Sequence, residues 1–135
     1  MKPFVGLVIV LALTSCATAA TMDYQLHSDL HSALSLASET ELFIQQIESG
    51  HLLAHFQAAH ADYLRSEAQR EAKEARDSEG KAQNPIGFDL CAKQLESLSR
   101  ELRLIGINGD PKTVAESKRR VETIRKTLIA AGANR

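Results

Sequence analysis

Apolar residues that recur at alternating steps of four and three limit the fold of this chain more than any other feature. Leu26, Leu30, Ala33, Ala37, Thr40, Ile44 and Ile47 keep that spacing without interruption. A helix turns once per 3.6 residues, so the spacing lays them along one side, where Leu34, Leu36 and Phe43 widen the stripe. In a strand, where side chains alternate with period two, the same residues would scatter over both faces. The rhythm returns in Phe88, Cys91, Leu95, Leu98, Leu102 and Ile105, and again in Val114, Ser117, Val121, Ile124, Leu128 and Ala131.

Breaks separate these stripes. Ser49-Gly50 offers a reversal, because glycine is poor inside a helix and tolerates left-handed backbone. Ser38-x-x-Glu41 has the form of a capping box, but the stripe runs straight through it. Asn84-Pro85 and Asp110-Pro111 each place a capping side chain before a proline suited to a first turn, and Gly132 can close the last helix. The 3 prolines leave every periodic stretch uninterrupted. Helices are therefore predicted over about 22–48 and 51–79, from the Asn84-Pro85 start to about 105, and over about 110–132. The implied fold is all-α: an antiparallel bundle of four helices with coiled-coil-like seams, a long first hairpin and a shorter second one. Without a reversal at Gly50 the first two segments would merge into one rod and leave three helices.

The segment from 51 changes character along its length. Leu53, Phe56, His60, Tyr63 and Leu64 fall on one side, whereas from Arg65 to Lys81 only Ala68, Ala72 and Ala75 are apolar. Pairs such as Arg70–Glu74 and Lys73–Asp77 stand one turn apart and suit a solvated face. Charge also suggests a neighbour. The first segment holds Asp23, Asp29, Glu39, Glu41 and Glu48 without a Lys or Arg. The last holds Lys112, Lys118, Arg119, Arg120, Arg125 and Lys126 against Glu116 and Glu122. Opposite flanking charges select partners in helix packing, so the last helix is expected beside the first.

Residues 1–20 read as a bacterial export signal, leaving 21–135 as a single helical domain. Lys2 supplies the positive start, and the apolar run Phe4 to Leu13 is about half the roughly 20 residues that span a bilayer. Two cuts compete. Leu13-Thr14-Ser15-Cys16 resembles a lipobox, which would make Cys16 a lipidated first residue. Ala17-Thr18-Ala19 suits ordinary signal peptidase and would discard Cys16. Either product is exported, to the periplasm or cell envelope if retained and otherwise secreted, and touches a membrane only through such an anchor. Both leave Cys91 as the one remaining cysteine, expected to be a small buried apolar side chain.

Chemistry finds little support. The 16 basic and 17 acidic residues give no electrostatic footprint for nucleic acid. Neither phosphate-loop pattern, G-x-x-x-x-G-K-[ST] or G-x-G-x-x-G, occurs, and no cofactor is implied. Asn108-Gly109-Asp110 lacks the further ligands of a calcium loop. Histidine is the suggestive residue. His27 and His31 are four apart, as are His51 and His55, and such pairs on helices build zinc and copper sites. The two pairs would lie roughly 30 Å apart at 1.5 Å per residue, so a single chain cannot unite them. Glu48-x-x-His51 has the spacing of a di-iron ligand pair, in one copy across an expected turn. His60 is expected inside the apolar face, level with Thr40, where the two would form a buried polar layer that sets register. The function expected from these features is a non-catalytic exported envelope protein that acts through helix-mediated contact with another protein or itself. The alternative is a periplasmic module binding a metal or small ligand through its histidines.

Overall fold

A computed structural model describes the backbone of residues 4–133 and the side chains of residues 19–133. Four helices and no strand occur among them: α1 (Phe4–Glu48), α2 (Ala54–Glu79), α3 (Ile86–Ile107) and α4 (Pro111–Ala133). The first two segments do not merge. Helix α1 ends at Glu48, and Gly50 follows at φ 71°, a left-handed conformation that costs other residues about 1–2 kcal/mol. Helix α1 also runs unbroken through both candidate cuts, while the side chain of Cys16 lies outside the described residues. No helix among the described residues is long and apolar enough to cross a membrane.

Caps account for the starts of α3 and α4. Asp110 Oδ1 accepts from the amides of Lys112 (3.1 Å) and Thr113 (3.0 Å), satisfying two of the donors that open a helix. Helix α3 begins one residue later than expected, with Pro85 as its cap and Asn84 Oδ1 a distant 3.5 Å from the Ile86 amide. Gly132 does not cap α4, which continues to Ala133.

Cross-links set the helix directions. Lys118 bonds Glu48 and Arg125 bonds Glu41, so α4 runs antiparallel beside α1, the neighbour expected from charge. Gln57 reaches the Ile105 carbonyl while Arg76 reaches Glu96 and Asp89, which pairs α2 antiparallel with α3. Helices α1 and α3 touch across the diagonal, whereas α2 and α4 do not meet.

The core follows the stripes. Leu26, Leu30, Ala33, Ala37, Thr40 and Ile44 of α1 are buried, as are Phe88, Cys91, Leu95, Leu98, Leu102 and Ile105 of α3 and Val114, Ser117, Val121, Ile124 and Leu128 of α4. Helix α2 differs. It buries Ala61, Leu64, Ala68, Ala72 and Ala75, and its α3 contact is the most extensive in the bundle. Small side chains on both helices allow this approach: Gly87, Ala92, Ser99 and Gly106 belong to α3, and a Cβ on Gly106 would stand 3.3 Å from that of Ala61.

Candidate interaction surface

The rotation of α2 decides what the surface presents. At about 100° per residue, Ala61, Leu64, Ala68, Ala72 and Ala75 all lie within roughly 40° of one line. That line points into the bundle. Phe56, His60 and Tyr63 are displaced from it by about 80–140°, which carries them to the margin facing α1. Phe56 is 57 % exposed, Tyr63 56 % and Leu53 63 %; on α1, Leu42 is 59 % exposed.

His60 joins the two helices at this margin. Its ring meets buried Phe43 of α1 edge-on with centroids 4.9 Å apart, lies 6.1 Å from Tyr63, and places Nε2 3.9 Å from Glu39 Oε1. Leu42 precedes Phe43 on α1 and lies about 100° around the helix from it, on the solvent side. Phe56, His60 and Tyr63 form an aromatic ridge along the α1-facing margin of α2, with Glu39 across the seam and exposed Leu53 just before the helix. Nothing in this arrangement pairs a nucleophile with a base. Its exposed aromatic side chains are of the kind that dominate protein interfaces.

The expected buried layer of His60 and Thr40 is corrected by this geometry. Thr40 is buried, but its hydroxyl donates to the Leu36 carbonyl of its own helix at 2.8 Å. The His60 side chain is 43 % exposed and has its contacts at the seam. The alanine face of α2 fills the interior that His60 was expected to share.

The other histidines do not come together into one site. His27 and His31 are exposed on α1. His51 lies in the turn before α2, with Nδ1 2.7 Å from Ser49 Oγ, while His55 is in the first turn of α2 against the Phe56 ring at 4.4 Å. His51 and His55 therefore do not share one regular helix face. Among the described residues, no group of three or more His, Cys, Asp or Glu is placed to hold a metal ion. Cys91 is fully buried; burial, with help from Asp29 and Glu71, pushes its thiol up to about 12, so it stays protonated and unreactive at neutral pH.

Two polar groups inside the bundle escaped the sequence reading. Glu101 of α3 accepts from buried Ser117 at 2.8 Å and from Arg120 Nε at 2.8 Å, tying α3 to α4. Asp29 of α1 is buried beside Leu30. The first carried a signal, since Ser117 is a hydroxyl within an otherwise apolar stripe. Asp29 stands three residues after Leu26 and four before Ala33, which marks the edge of the buried face.

A cleft of about 510 Å³ opens near the far end of the bundle, between Met22 and Leu26 of α1, the 81–84 connection and Phe88. Ala19 and Ala20 complete its wall, so a cut beside them would remove part of it. Compared with known proteins, the chain matches no family model, no curated protein and no solved structure.

Proposed function

We propose that this chain is a non-catalytic exported protein of the cell envelope that works by binding another protein through the α1–α2 ridge. The carrying observation is the exposure of Phe56 and Tyr63 beside His60 on the α1-facing margin of α2. Burying a large apolar side chain contributes about 1.5–3 kcal/mol, so a few of them can anchor a complex. Aromatic side chains suit this role because they bring large area at low entropic cost. Export rests on the leader-like residues 1–20. The lipobox cut yields a diacylglycerol-bearing Cys16, the ordinary cut a free chain, and the mass of the mature protein distinguishes them.

Replacing Phe56 and Tyr63 together with Ser leaves helicity and thermal midpoint near those of the parent, because neither side chain is in the core. Partner affinity falls tenfold or more, about 1.4 kcal/mol. A photo-crosslinker at position 56 or 63 in intact cells gives an adduct of defined mass, and one at exposed Lys73 does not. Equal labelling at all three positions, or unchanged affinity in the double variant, would overturn the reading.

A further inference from the structure

Below the aromatic ridge, the α1–α2 seam changes chemistry. Asp29 of α1 is only 6 % exposed, with Oδ1 accepting from Gln25 Nε2 at 2.7 Å and Oδ2 buried without a hydrogen-bond partner. The groups facing it have its own sign. Helix α2 contributes Glu71, whose side chain is 15 % exposed, and Glu74, while the Cys91 thiol of α3 is uncharged. The nearby cation, Arg70, is shared among Glu67, Glu71 and Glu74 at 2.8, 2.9 and 3.0 Å, and is itself half exposed. Among the described residues, no Lys or Arg pairs with Asp29, and α4 brings no charge into ion-pair contact with Asp29 or Glu71.

An ionised carboxylate here would be a buried charge with one neutral donor and acidic neighbours. Such a charge is costly, and the group answers by keeping its proton. We propose that Asp29, buried next to the Glu71–Arg70 pair of α2, is a proton-dependent clamp, which holds the 25–33 stretch of α1 against the α2–α3 hairpin when protonated and loosens it when ionised. The upper part of α1 is held differently. Glu41–Arg125 and Glu48–Lys118 tie it to α4 by opposite charges, which strengthen as carboxyls ionise. The clamp therefore acts on one end of the α1 contact and leaves the other in place.

The sign follows from linkage. Burial is the main cause that raises both carboxyls above their ordinary values, against the Gln25 hydrogen bond for Asp29 and the Arg70 charge for Glu71, with Glu74 adding to each and Asp29 and Glu67 adding to Glu71. The folded chain then binds more protons than the unfolded chain, from the ordinary carboxyl range up to the raised values. Stability falls as pH rises through that window. Asp89, lowered by Lys93 and then Arg76, and Asp110, lowered by Thr113, act oppositely. Their contribution is complete above the ordinary carboxyl range, and the clamp is read between about pH 5 and about pH 8 from the difference between parent and variant, which cancels the other titrating groups.

The test uses the full chain. Its thermal midpoint is several degrees higher at the lower pH, and amide protection over 25–33, corrected for intrinsic exchange, falls at the higher pH while that over 41–48 persists. Asp29→Asn keeps the acceptor for Gln25 without a charge; it raises the midpoint at the higher pH and at least halves the difference between the two. Glu71→Gln acts in the same direction and carries the test if Asp29→Asn does not fold. An unchanged pH difference in both variants, a lower midpoint for Asp29→Asn at the higher pH, or failure of both to fold at either pH would overturn the proposal.

Discussion

Leu98→Ala destabilises the bundle by about 2–5 kcal/mol, the range for removing a buried leucine from a core that only partly relaxes. Leu98 is fully buried on α3, the helix that touches each of the other three. A cavity there is bounded by several helices, and no single side chain can move to fill it. For a domain of this size the loss lowers the thermal midpoint on the order of 10 °C. Thermal or urea denaturation of the variant beside the parent gives the value. A loss below about 1 kcal/mol would mean that α3 does not occupy the centre of the bundle.

Ala68→Leu tests the feature that most separates this bundle from the expected one. Ala68 is fully buried on α2, between the Gln57–Ile105 and Arg76–Glu96 links to α3. Small side chains hold the two helices close along this length, and three additional carbons must push them apart or force a strained rotamer. Overpacking of this kind costs about 1–3 kcal/mol. The same change at exposed Ala59 stays within about 0.5 kcal/mol, as surface substitutions usually do. Equal effects at 59 and 68 in equilibrium unfolding would show that the alanine line is not the packed face.

Much of the fold was legible along the chain because its signals are local or additive. The α3 and α4 stripes are buried as spaced, the reversal falls at Gly50, and Asp110 caps as its position before Pro111 suggests. The α1–α4 pairing was legible for another reason: an acidic helix and a basic helix meet favourably wherever their flanks adjoin. The candidate site was harder to read. Leu64 belongs to two stripes of α2, one with Leu53, Phe56, His60 and Tyr63, the other with Ala61 and Ala68, and hydrophobicity favours the larger side chains. Asp29 and Glu71 lie 42 positions apart, and only the packing of α1 on α2 makes neighbours of them.

By itself the sequence determined that this chain forms helices, where they break, and which two carry complementary charge. Those properties follow from the backbone period, from glycine, proline and capping side chains, and from the sign of charges. Tertiary structure alone decided which side of α2 turns inward. A rigid helix has one rotation for its whole length, and beyond Arg65 only Ala68, Ala72 and Ala75 can line a buried face. Those alanines set the rotation against α3 and thereby carry Phe56 and Tyr63 out to the α1 margin. The exposed ridge is thus a consequence of packing about 8–28 Å away along the same helix, at 1.5 Å per residue.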